Sequence, residues 1–198
     1  MANFSAVYSV GDSLISYLRK VYDLRHDEDS LPSCQFVLAP SAKIGGEADT
    51  DFPPEKPAVS LYLFRVTVNE HLRNQRPPPD KGQPLTLDLH YMLTVWADKV
   101  DDEHRLLAWV MQQLYTHEAL SASDLTPDGG WAPGDLVQII PAEISHEDLT
   151  RLWDSLKRSY RPSVTYVARV VPVEVTGKPP GRPVVARRFS YGAEGPEE

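Results

Sequence analysis

Six histidines, 28 acidic residues and one cysteine are the groups in this sequence best suited to ligate a metal or to move a proton near neutral pH. Their spacing decides what they do. The run Asp101-Asp102-Glu103-His104 gathers three carboxylates and an imidazole, but a metal or acid/base site would need a second set of ligands at matching spacing, and none accompanies it. The same residues open an amphipathic pattern of Leu106, Leu107, Val110, Met111 and Leu114. There, carboxylates cap free amides and favour the positive end of the helix dipole. His117-Glu118 and His146-Glu147 begin like a zinc-binding helix but lack the second histidine four residues on. His26, His71 and His90 add no pattern, and there is no phosphate-binding loop, dinucleotide fingerprint or nucleophile elbow. Cys34 stands alone, which excludes an internal disulfide and a multi-cysteine metal site and fits a reducing compartment. The expectation is a protein that is not an enzyme, with no catalytic residue, no metal site and no cofactor.

Length and charge narrow the class further. A chain of 198 residues, 41% hydrophobic, buries one substantial core. A net charge of -8 and a pI near 5.2 argue against a nucleic-acid partner. The N-terminus lacks a basic segment followed by an apolar run, and no window approaches the roughly 18 apolar residues of a membrane span. A soluble cytoplasmic protein with no membrane partner is expected.

The elements that would position any site centre on residues 57–120, two long strands followed by a helix. In the first strand, residues 59–69, Val59, Leu61 and Leu63 point to one face and Tyr62, Phe64, Val66 and Val68 to the other. In the second, Leu85, Leu87, Leu89, Tyr91, Leu93 and Val95 share one face and Thr86, Asp88, His90 and Thr94 the opposite one, predicting an antiparallel pair with one buried and one wetter face. Before them, Val7, Val10, Leu14, Leu18 and Val21 mark a helix over residues 5–22 that packs on the sheet, and Phe36-Val37-Leu38 reads as a short edge strand. After them come a strand at residues 136–140, a helix opened by Ser145 with Asp148 three residues on, and a β-branched strand at residues 163–171. Pro172 should end that strand or push it to an edge. The fold class is therefore α+β, a mainly antiparallel sheet with a long hairpin packed by about three helices. Residues 1–175 form one domain, and residues 176–198 a flexible Pro/Gly-linked C-terminal arm.

Two segments project from this body. The connection between the long strands holds Leu72, Arg73, Asn74 and Arg76 before Pro77-Pro78-Pro79; it is far longer than a tight hairpin turn and is either a docking loop or a solvated insert. The arm carries Val184, Val185, Arg187, Arg188 and Phe189, a short apolar and basic stretch suited to pairing with a sheet edge on a neighbour, or a frayed tail.

The residues from Val59-Ser60-Leu61-Tyr62-Leu63-Phe64-Arg65-Val66 through Asn69-Glu70-His71-Leu72-Arg73-Asn74, then Leu85 to Trp96, resemble a family first catalogued as a domain of unknown function. That family is associated with the cap, or tube and sheath terminator, of phage-tail-like extracellular contractile injection systems. His104-Arg105-Leu106-Leu107, Met111-Gln112-Gln113-Leu114 and Ile139-Ile140-Pro141-Ala142-Glu143 add to the resemblance, which covers residues 4–173 and stops before the tail, so no appended second domain is expected. The resemblance implies a structural cap that terminates the inner tube and anchors the sheath end distal to the baseplate. Its partners would be itself, as a homohexameric ring, the inner tube protein and the sheath protein, within an injection particle assembled in the cytoplasm. The interface candidates are Leu72, Arg73, Asn74 and Arg76 in the loop and Val184, Val185, Arg187, Arg188 and Phe189 in the arm. The competing readings are an assembly chaperone for tube or sheath subunits and a small cytoplasmic ligand-binding protein or enzyme.

Overall fold

The computed structural model describes residues 2–45, 52–53, 55–69 and 84–175. Strands β1 (Gln35–Ala39), β2 (Ala58–Val68), β3 (Leu85–Trp96), β4 (Ala119–Ser121), β5 (Leu136–Ala142) and β6 (Ser163–Val173) form one sheet in the order β1-β2-β3-β6-β5-β4. Every neighbouring pair is antiparallel except β1 with β2. Helices α1 (Ala6–Arg25), α2 (Ser41–Ile44), α3 (Val100–Thr116) and α4 (His146–Ser155) cover it. The fold is α+β around a long antiparallel hairpin, as the periodicity predicts.

The leucine-rich face of β3 is buried as expected. Leu87, Leu89, Tyr91, Leu93 and Val95 pack with Val10, Leu14 and Leu18 of α1 and Leu106, Val110 and Leu114 of α3. Gly11 brings α1 close to the edge strand, because a Cβ there would come within 2.9 Å of Leu38 Cδ1. The opposite face is drier than its sequence suggests. Met92 and Trp96 lie in a second core with Leu149, Trp153 and Leu156 from the region of α4 and Ile44 from α2. The polar residues on this face are satisfied internally: Trp96 Nε1 donates to Ser60 Oγ at 2.8 Å, and the Thr94 and Ser163 hydroxyls bond at 2.9 Å. Paired buried polar groups carry no desolvation deficit, so a helix can close over them. Only the half of β3 holding Asp88 and His90 stays partly open.

Helix starts follow their local chemistry. Ser145 accepts the Asp148 N–H at 3.1 Å, and Glu147 pairs with Arg151 one turn on at 2.6 Å, so the predicted capping arrangement opens α4. At α3 the cap position is Lys99, whose side chain makes no capping bond, and Asp101, Asp102 and Glu103 fill the first turn. Their contribution is charge against the helix dipole, not the expected side-chain cap.

Two bulges depart from simple alternation. Between Leu63 and Arg65 the β2–β3 register slips by one residue, so that Val66 pairs with Leu89 and Val68 with Leu87. Paired residues share a face, and Val66 and Val68 therefore sit on the leucine face, not with Tyr62 and Phe64. One extra residue is enough to invert the period. The second bulge sets Arg169 and Val170 opposite Asp88, with Val170 at φ 64°. Left-handed backbone is unusual for a β-branched side chain.

Pro172 does not end β6, and the strand keeps an interior place in the sheet order, although Pro172 itself lies on a stretch with no neighbour on its β5 side among the described residues. It pairs with Thr86, inside a strand flanked by β3 and β5. β5 leaves β6 at Arg169, and the Thr86 carbonyl accepts from Asn69 N–H at 2.8 Å on its other side, so nothing on either flank calls for the missing proline N–H. The three-residue β4 is too short to have shown a period.

Relief of left-handed strain at Val170, about 1–2 kcal/mol, outweighs the glycine entropy cost of about 0.5–1 kcal/mol. Val170→Gly should therefore raise unfolding stability by up to about 1 kcal/mol in urea titration, whereas Val171→Gly, which empties a fully buried position, should lower it by at least about 2 kcal/mol. A Val170→Gly variant less stable than the parent would show that the bulge stores no strain.

Candidate functional site

The residues expected at interfaces, Leu72, Arg73, Asn74 and Arg76 in one segment and Val184, Val185, Arg187, Arg188 and Phe189 in the other, lie outside the described residues. The points from which their segments leave the body are described. β2 ends at Val68, opposite Leu87; β3 begins at Leu85, opposite Val173 at the end of β6. Three strand ends thus meet, and both segments depart from one end of the sheet. The N-terminal residues join them there, since Glu174 N–H donates to the Ala2 carbonyl at 2.7 Å.

Asp88 holds this end together. Its carboxylate accepts from Asn69 Nδ2 at 3.1 Å through both oxygens, and from the Val170 N–H at 3.1 Å. One side chain on the middle strand therefore fixes the last described residue of the β2 segment and the bulge of β6. Hydrogen bonds to an ionised acceptor are the stronger kind, which suits a position where two segments must leave in defined directions. On the same face, His90 Nε2 and Thr67 Oγ1 lie 3.0 Å apart, and Arg65 pairs across the ladder with His90. Burial first, and the Arg65 charge second, hold the His90 imidazole below its ordinary pKa.

The other face at this end is apolar and open. Val66 and Val68 are 46% and 50% exposed although their cross-strand partners Leu89 and Leu87 are buried, and Leu85 and Val175 are also exposed. Beside them, an open groove of about 930 Å³ runs between the first turns of α1 and the sheet, lined by Phe4, Tyr8, Leu38, Pro40, Leu63 and Tyr91 among others. Phe4 is 84% exposed and Tyr8 57%. Phe4, just before α1, and Tyr8 and Gly11 on it follow a four- and three-residue step, a second stripe that the sequence carries and that the core-facing stripe obscures. Nothing in the sequence marks Asp88, Asn69 or Val170.

The remaining reactive side chains are dispersed. His26 stacks on Tyr22, His117 on Tyr17, and His146 meets the Tyr160 ring edge-on; His104 is exposed. His71 lies outside the described residues. Burial pushes the Cys34 thiol up to about 12, leaving it un-ionised and unreactive at neutral pH. Among the described residues no group of three or more His, Cys, Asp or Glu is placed to hold a metal ion, and no helix is long and apolar enough to cross a membrane.

The class so defined is an α+β domain with a single sheet covered by helices on both faces, from one end of which two segments depart. The chain belongs to the family described as the Pvc16 N-terminal domain, which it matches over residues 9–187. Among solved structures it is similar to the sheath/tube terminator, in the extended state, of the extracellular contractile injection system PVC. The TM-score there is 0.55 at 17% identity, covering 96% of this chain and 63% of that one. It is also similar to the tube-terminating cap of the anti-feeding prophage, with a TM-score of 0.48 at 18% identity, covering 82% of this chain and 55% of that one. The chain thus spans less than two thirds of the length of either. No curated protein matches the sequence.

A depressed histidine pKa contributes stability that is present above the ordinary value of 6.5 and is lost as pH falls toward the folded-state value. The thermal midpoint should therefore decline between pH 7 and pH 5, and decline less steeply in His90→Gln. Equal slopes for the two proteins would remove His90 from the acid response.

Proposed function

We propose that this chain is a structural cap that terminates the inner tube and anchors the end of the sheath distal to the baseplate in a contractile injection system. Membership of the Pvc16 N-terminal domain family supports this reading, as does a fold shared along nearly the whole chain with a sheath/tube terminator. The observation that carries it is that the strand ends from which the loop and the arm depart lie together with an exposed apolar surface at one end of the sheet. A protein that closes a tube must present a fixed surface to copies of itself and to the layer beneath, and that convergence supplies one.

The partners in this reading are further copies of the chain, the tube protein and the sheath protein. Six copies would form the ring. A closed ring uses heterologous contacts, in which one patch meets a different patch on the next copy, and a domain with a basic loop and arm on an acidic body offers two such patches. The role is structural rather than catalytic, and the cap would assemble in the cytoplasm into the particle. Within the chain, residues 1–175 would be the terminator domain and residues 176–198 its arm.

Arg73 and Arg76 are the loop cations assigned to neighbour or tube contact. Arg73→Glu/Arg76→Glu should reduce co-sedimentation of the purified protein with assembled tubes by roughly tenfold or more, the scale at which two reversed contacts of about 1 kcal/mol each act. Its melting temperature should match the parent. Undiminished co-sedimentation would remove the loop from the interface, and failure of the unaltered chain to bind tubes would contradict the cap reading.

A further inference from the structure

The sheet has a gap along its outer edge. β1 covers β2 only over residues 58–62. Pro40, which has no amide hydrogen to donate, then ends β1, and the chain turns into α2. β2 continues for six more residues, 63–68, paired with β3 on one side and with no strand on the other among the described residues. Alternate backbone N–H and C=O groups of that stretch point outward, away from the β2–β3 ladder. Alongside it lie Val66, Val68 and the groove walled by Phe4, Tyr8, Leu38 and Leu63. An unpaired edge that exposes Val66 and Val68 invites pairing between molecules beyond the point where the bulge and Arg65 blunt it, and soluble proteins cover such edges.

We infer that this edge is an acceptor site for an extended peptide, and that its occupant in the free protein is the chain's own residues 184–189. Composition, reach and direction support that occupant. Val184-Val185-Ala186-Arg187-Arg188-Phe189 is six residues long, as is the open edge, and its β-branched and aromatic side chains favour a pleated strand. The groove is apolar with one acidic residue in its lining, Asp128, which complements a segment that is apolar apart from Arg187 and Arg188.

The segment can also reach. The described chain ends at Val175, just past the Val173–Leu85 pair, at the same end of the sheet as Val68. From β6, the open side of β2 is three inter-strand spacings away, about 14 Å at about 4.8 Å each. Residues 176–183, extended, span about 26 Å. A chain arriving from that end runs opposite to β2, which gives the antiparallel pairing that favours an added strand. The family match extends to residue 187, into this segment. The inference concerns the isolated chain and stands apart from whether it caps a tube.

The test is amide hydrogen exchange on the full chain, comparing the parent with Val185→Asp/Phe189→Asp. Both substitutions lie outside the described residues, and a matched melting profile confirms that the core is unaltered. The outward-pointing amides of residues 63–68 should exchange at least about tenfold faster in the variant, while the amides of β6 and of the β3–β6 ladder stay unchanged. Equal exchange at residues 63–68 in the two proteins would overturn the assignment. Protection in the parent that rises with protein concentration would show a strand donated by another copy, and would overturn the intramolecular occupant. Protection independent of concentration and lost in the variant would establish it.

Discussion

Burial of β3 on both faces is the constraint on which the rest of the molecule depends. A strand with Leu89 and Leu93 on one side and Met92 and Trp96 on the other, all essentially inaccessible to water, needs a layer of helix on each side. α1 and α3 supply one layer, and α4 with the single turn of α2 supplies the second. Because both layers close on the same strand, each core positions the other. The hydroxyls of Ser60 and Thr94 are tolerated in that interior only because Trp96 and Ser163 pair with them.

The two bulges relax this order at one end, and both lie close to Asp88 along β3. The slip in β2 turns Val66 and Val68 onto the leucine face beyond the reach of the covering helices, so apolar side chains emerge there although their ladder partners are buried. The slip in β6 bends the last described strand, and its unusual Val170 backbone is held by the same carboxylate that holds Asn69. Close packing at one end of the sheet and polar stitching at the other leave a body that presents an unfinished edge. Interaction surfaces are commonly built so, with irregular segments carried on a fixed scaffold.

Much of this architecture was legible in the residues. The two-residue period of β3 identifies its buried face correctly from Leu87 to Val95, with Leu85 exposed at the strand's start, and the stripe Val10, Leu14, Leu18 identifies α1. Ser145 with Asp148 marks the start of α4 to the residue. Other features were hidden for physical reasons. A bulge inserts one residue with no compositional mark, which is why Val66 and Val68 read as belonging to the wrong face. The parallel pairing of β1 with β2 depends on a long connection that no local period reports. Pro172 misleads because a proline is excluded only where a neighbour needs its amide, and that depends on where β5 stops. Asp88 reads as an ordinary polar residue in alternation; its hydrogen bonds to Asn69 and to the bulge at Val170 join segments that are distant in sequence. The interface candidates in the loop and arm lie outside the described residues, whereas the apolar edge beside their exits required the register.

The chain is a single-sheet domain of the Pvc16 N-terminal family, and the strand ends from which its loop and arm depart lie beside the open edge. The most direct measurement is negative-stain electron microscopy of injection particles from cells lacking this gene, beside the complemented strain. The account predicts ragged, abnormally long or missing sheathed tubes that return to uniform closed particles on complementation. Particles of normal length, with an intact sheath and a closed distal end in the absence of the protein, would contradict it.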